Sequence, residues 1–345
     1  MLTILLLAAL QAPQAPTFTP IYQRKINDTL TLVVSSGGQD IRQNVHLAQL
    51  SIGLLNRGKP YKAAGGLSEL GWPDYKVLRS DDSSLVVARM ETYNSGPTVK
   101  FFLNPQNYGV IKHIDYSPDV GLAAVNHNEV AAALDLPLEV VKQLEQPAQG
   151  MTADSLPQLR DHSMPQSTYA EFARARPDRV KDGYTEDGTA IEESPGPYQI
   201  VGSRIWFGKR FYDGEGSTGI GGLGYFDTAT SRYTLLPVPQ MADWSTSAIL
   251  VDGIDVWAAL VGYPEGEAYG GGVIRYDLRR RTTQKFPADD VISRILRFRD
   301  RLYLTSKNGA YQIRGAGLIR YRVEPNIDNR FILVTDTISP APRKR

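Results

Sequence analysis

The stretch Asp252–Phe286, DGIDVWAALVGYPEGEAYGGGVIRYDLRRRTTQKF, places three short apolar runs between turn-forming residues. Val256-Trp257-Ala258 follows the turn pair Asp252-Gly253, Val273-Ile274-Arg275-Tyr276-Asp277 follows a glycine run, and Phe286 closes the third run. Alternation with β-branched and aromatic enrichment reads as strand, turn, strand, turn, strand. The same order recurs on both sides. Ile205-Trp206-Phe207 and Leu302-Tyr303-Leu304 match the Trp257 run, and the three aromatic anchors are 51 and 46 residues apart. Phe226 in Leu223–Asp227, Tyr276, and Tyr321 in Leu318–Arg322 follow their anchors by 20, 19 and 18 residues, and Leu236, Phe286 and Phe331 follow ten residues later. The apolar stretches Ala248–Val251 and Ile292–Phe298 supply a further strand ahead of two anchors. Four short strands in a unit of about 45 to 50 residues make the blade of a β-propeller.

The segments "DVW…GGVIRYDLRRRTTQKF" and "LYLTSKNGAYQI" resemble blades of exported bacterial propeller repeat proteins of the sensor and virginiamycin-B-lyase types, over roughly residues 196–335. The resemblance implies a fold and carries no catalytic residue across, because no histidine occurs after His162. The expected class is therefore mainly β. It is a β-propeller with irregular N-terminal blades or a separate N-terminal β domain, plus a short helical insertion.

The expected organisation is a signal peptide over 1–15, a β-rich part over 16–126, a helical insertion and linker over 127–195, and blade repeats over 196–345. Leu2–Leu10 is an apolar core of signal-peptide length followed by small residues, with cleavage expected after Ala15 and a periplasmic or secreted destination. In the β-rich part, Leu30–Val34 and Leu85–Ala88 read as strands, with turns at Ser35–Gly38 and Asp81–Ser83. Val99–Leu103, Asn104–Asn107 and Tyr108–Ile111 read as a hairpin that would close a degenerate blade, and Ile114–Val125 as the start of an inner strand. From Glu129 to Gln146 the apolar period is helical, with Pro137 dividing two short helices. The fragment also resembles helix-turn-helix DNA readers, but 38 basic against 37 acidic residues leave no basic stripe for phosphate, and a packing role is preferred. No nucleic-acid partner and no transmembrane segment in the mature chain are expected.

Candidate chemistry is sparse. The absence of cysteine excludes disulfides, thiolate metal sites and a cysteine nucleophile. Gly219–Gly224 fits GxGxxG, but a strand rather than a helix follows it, and Gly270-Gly271-Gly272 recurs one unit later, so it reads as a repeat turn. His113 and Asp115 alternate on one strand face; His46, His113, His127 and His162 show no metal-ligand spacing. The sharpest feature is a repeated loop six residues after each tryptophan anchor: Tyr212 with Asp213 and Glu215, then Tyr263 with Glu265 and Glu267. If the units are equivalent, both loops leave one face. Their carboxylates could hold Ca²⁺, or meet a cationic or sugar-like ligand beside the tyrosines; the third unit has Ser306–Gly309 there instead. No other cofactor is expected. The expected function is a binding or scaffold module for a protein, peptide or glycan at the cell envelope. The alternative is a lyase or hydrolase acting on a polysaccharide or small lactone at a propeller mouth.

Overall fold

The computed structural model describes residues 17–42, 45–70, 74–90, 95–117, 119–146, 153, 156–159, 162–177, 191–211, 218–263 and 268–338. Five antiparallel sheets of four or five strands dominate it, and the chain divides into two compact units. One unit holds residues up to 118 together with 325–329; the other holds 119–324 and the chain from 330 onward.

The first unit contains sheet A, formed by β1 (Thr17–Lys25), β2 (Leu30–Arg42), β3 (Val45–Asn56) and β4 (Lys59–Leu70). Sheet B is formed by β5 (Asp74–Ser80), β6 (Ser84–Met90), β7 (Ser95–Leu103) and β8 (Val110–Tyr116). Leu32, Val34, Leu50, Ile52, Leu85, Val87, Val99 and Phe101 form its core, every second residue of their strands. The β7–β8 hairpin ends sheet B as expected. Two expectations fail. Ser35–Gly38 is not a turn: β2 runs straight through it, paired with β1 and β3. The glycines serve close approach instead, since a Cβ on Gly37 would lie 2.6 Å from the Thr17 carbonyl oxygen and one on Gly38 would collide with the His46 ring. Ile114–Val125 begins no inner strand, because Ile114–Tyr116 ends the outer strand of sheet B and Leu122–Ala124 is a 3₁₀ turn.

The second unit is a stack of three sheets. Sheet C comprises β9 (Ser194–Val201), β10 (Arg204–Arg210), β11 (Leu223–Asp227) and β12 (Arg232–Leu236). Sheet D comprises β13 (Ser245–Asp252), β14 (Asp255–Gly262), β15 (Tyr269–Asp277) and β16 (Thr282–Phe286). Sheet E comprises β17 (Ile292–Phe298), β18 (Arg301–Ser306), β19 (Gly309–Arg314), β20 (Gly317–Pro325) and β21 (Phe331–Ile338). Each is a meander, and first strands pack together: Gln199 of β9 donates to the Val251 carbonyl and accepts from its N–H, and Ser247 of β13 donates to the Ile292 carbonyl.

Side-chain alternation explains the stack. One face of sheet D (Val256, Ala258, Leu260, Ile274) packs with Trp206 and Leu223 of sheet C. Its other face (Trp257, Ala259, Val273, Phe286) packs with Leu302, Leu304 and Tyr311 of sheet E. The outer face of sheet C, with Ile205, Phe207 and Phe226, is covered by Ala153, Leu159 and Met164. The outer face of sheet E, with Tyr303, Ala310 and Tyr321, is covered by α1 (His127–Leu134) and α2 (Leu138–Glu145). Thus the helices divided at Pro137 cap the stack, as terminal repeats need a cap. The anchors recur because Trp206, Trp257 and Tyr303 each face the next layer, which for Tyr303 is the helical cap.

The third repeat is correct in position but shifted in its later strands. Leu318–Arg322 lies on the fourth strand of sheet E, not the third, and Phe331 starts a fifth. Sheets C and D spend their residues on long connections between second and third strands. Sheet E turns there in two residues, Lys307 and Asn308, and adds a hairpin, so similar spacing conceals a different path. Among the described residues no helix is long and apolar enough to cross a membrane.

Candidate functional site

In each sheet of the second unit, one end carries the start of the first strand, the end of the second and the start of the third. The ends coincide: the Phe211 N–H after β10 donates to Ser245 Oγ on β13 at 3.0 Å, and the Gly270 N–H on β15 donates to the Asp289 carbonyl before β17 at 3.1 Å. Of the repeated Tyr-acid loops, Tyr212, Asp213, Glu215, Glu265 and Glu267 lie outside the described residues. Tyr263 is half-buried beyond the end of β14. The strand ends that flank both loops lie at this shared end.

A second recurrence occupies the same end. A carboxylate precedes each first strand: Glu193 before β9, Asp243 before β13 and Asp290 before β17. They stand thirteen, fourteen and thirteen residues ahead of Trp206, Trp257 and Tyr303, a periodicity present in the sequence but overlooked beside the aromatic anchors.

Two of the three are buried and fully engaged. Glu193, with a side chain 0% exposed, pairs with Lys209 Nζ at 2.5 Å. It also accepts from the Ile220 N–H at 2.7 Å and from the Ser167 N–H and Oγ. Ser167 Oγ is 3.1 Å from Lys209 Nζ, a spacing that could suggest a serine nucleophile with a lysine base. The hydrogen bonds argue against that use, because Lys209 Nζ donates to Ser167 Oγ while the serine hydroxyl donates to Glu193. The arrangement pins the cap segment to sheet C. Asp290 accepts from Tyr311 Oη at 2.5 Å, Arg320 Nη2 at 2.9 and 3.0 Å, and Asn308 Nδ2 at 3.0 Å. Burial first, then the Asp290 charge, pushes the Tyr311 phenol far above its ordinary pKa, with Arg320 acting in opposition.

Asp243 differs. It is 59% exposed at the seam between sheets C and D, with its Oδ1 2.7 Å from Nε of Arg176, whose side chain is 6% exposed. Arg176 follows α3 (Tyr169–Ala175), started by a capping box between Thr168 and Glu171. Among the described residues Arg176 Nε and Nη1 are buried without a hydrogen-bond partner, so the carboxylate sits near Nε without lying along its N–H. Beside Asp243, the Trp244 ring is seated on backbone that only glycine permits. A Cβ on Gly271 would collide with the ring, and one on Gly221 with the Trp244 carbonyl. The Gly270–Gly272 run thus receives the Trp244 ring, while Gly221 of the earlier run packs against the Met241 and Trp244 carbonyls and Gly219 against the Phe211 ring. Tyr269, 42% exposed, meets Trp244 edge-on with centroids 5.2 Å apart. Lys285 Nζ lies 5.1 Å from the Trp244 ring centre. Desolvation there lowers the lysine's pKa, with the Asp243 charge opposing. The seam therefore offers an aromatic pair, two cations and one exposed carboxylate.

Elsewhere, His113 and Asp115 share an exposed face of β8, and Asp115 is 3.5 Å from Arg89. Among the described residues no group of three or more His, Asp or Glu side chains is placed to hold a metal ion.

No family profile matches the chain, and no curated protein is similar to it in sequence. Among solved structures it is similar to the acylaminoacyl peptidase of Pyrococcus horikoshii, with TM-score 0.22 and 10% identity over 90% of this chain and 56% of that one. The extracellular domain of a one-component system from B. thetaiotaomicron matches with TM-score 0.24 and 11% identity over 85% of this chain and 32% of that one. The β-propeller domain of the trilobed protease from Pyrococcus furiosus matches with TM-score 0.21 and 11% identity, over 90% and 94%. The chain thus spans about half and about a third of the first two proteins. Likeness at this level leaves the fold to be argued from the sheets themselves.

Proposed function

We propose that the second unit is a propeller-type binding module of three blades, and that its recognition site is the seam between sheets C and D. The observation that carries this reading is the contrast among equivalent carboxylates. Glu193 and Asp290 are consumed by internal partners, whereas Asp243 is exposed beside Tyr269, Trp244 and Lys285. Aromatic rings with a few fixed polar groups are the ordinary composition of a small-ligand site. The Tyr212 and Tyr263 loops, leaving the same end, are assigned to the rim of this site. Their acidic residues Asp213, Glu215, Glu265 and Glu267 serve as ligand contacts or as a Ca²⁺ site. Residues 1–15 direct export, so that the module works in the periplasm or outside the cell.

Tryptophan fluorescence of the full chain, titrated with a panel of oligosaccharides, tests the assignment. Saturable binding is expected, weakened about tenfold in Tyr269→Ala by loss of the stacking contact. The reading fails if Tyr269→Ala binds as the parent does. Release of new reducing or unsaturated sugar ends would replace it with the lyase or hydrolase alternative.

A further inference from the structure

Resting on the seam as a binding site, we infer that it takes an acidic sugar, whose carboxylate displaces Asp243 from Arg176 while the sugar ring lies against Tyr269 and Trp244. Arg176 and Lys285 bring two positive charges to the seam, and among the described residues Asp243 is the one carboxylate paired with Arg176. Arg176 is buried yet, among the described residues, leaves Nε and Nη1 without hydrogen bonds, an expensive arrangement unless another acceptor completes it. Asp243 reaches that guanidinium at Nε, and its own exposure marks the way in from solvent. It therefore occupies the place of a ligand carboxylate rather than serving as a fixed partner such as Glu193 or Asp290. Lys285, exposed on β16 with its Nζ over the Trp244 ring, sets a second cation beside the same place. The half-exposed, edge-to-face aromatic pair offers a ring face beside that anion, which favours a uronate over an extended acidic peptide.

The test is calorimetric titration of the full chain with a galacturonate oligosaccharide, its neutral methyl ester, and a poly-glutamate peptide. Galacturonate is expected to bind at least about tenfold more tightly than the other two, as a charge-assisted pair with arginine requires. Asp243→Asn, which removes the competing internal carboxylate, is expected to tighten galacturonate binding about three- to tenfold and leave the ester unchanged. Lys285→Gln is expected to weaken galacturonate alone. Equal affinity for acid and ester would overturn the inference while the binding-module reading stands. Poly-glutamate binding as tight as galacturonate would overturn it in favour of charge alone, as would weaker galacturonate binding by Asp243→Asn. Binding of none of the three would overturn the inference together with the seam as a sugar site.

Discussion

Asp290 is a carboxylate taken out of water and repaid by hydrogen bonds from four side chains, and its removal should be felt as an uncompensated cation. Asp290→Ala leaves Arg320, 16% exposed, without its counter-charge and should destabilise the second unit by about 3 kcal/mol. Tyr311→Phe, which loses one hydrogen bond to an ionised group, should cost about 1.5 to 3 kcal/mol; urea unfolding measures both. Because the Tyr311 phenol is raised, its ionisation should be missing from an alkaline absorbance titration until the chain unfolds. In the first unit, Asp81 accepts four hydrogen bonds from Ser83 and Ser84. Burial opposes ionisation there, but the hydrogen bonds outweigh it and the pKa is lowered. A lowered carboxylate pKa adds stability above the unfolded value of about 4 and loses it as pH falls through the folded value. Asp81→Asn should therefore be about 1 kcal/mol less stable near neutrality and converge with the parent in acid.

At the scale of elements, what was legible followed from periodicity and what was not followed from path. Alternation in Val256–Val261 and the helical period across Pro137 reveal local structure directly, since each depends on neighbours in sequence. The Ser35–Gly38 strand and the shifted third repeat depend on what lies opposite, and a glycine in sequence does not tell whether it bends the chain or admits another strand. The carboxylates at 193, 243 and 290 recur as regularly as the anchors, but their differing fates depend on Lys209, Arg176 and Arg320, which follow no repeat. The helical cap is tested directly by Leu134→Ala. That side chain is 1% exposed beneath sheet E, and its truncation should cost about 2 to 5 kcal/mol. Loss should appear as raised hydrogen exchange in β18–β20 ahead of sheet C, because the cap covers only the outer face of sheet E.

For the whole molecule, a stack capped at both outer faces by its own chain accounts for blade-type sheets and for the helices between them in sequence. The same repetition places three equivalent carboxylates at one end and releases one from structural duty, which is the basis of the proposed site. Thermal unfolding of Glu193→Ala, Asp243→Ala and Asp290→Ala, compared side by side, measures that difference without any ligand. Glu193→Ala and Asp290→Ala should lower Tm by about 6 to 20 °C, the equivalent of about 3 to 5 kcal/mol in a domain of this size. Asp243→Ala should lower Tm clearly less than either, because water entering the exposed position that Asp243 leaves can solvate Arg176 in its place. A drop for Asp243→Ala as large as for the other two would make it a structural pin like them, and the seam would lose its claim to be the recognition site.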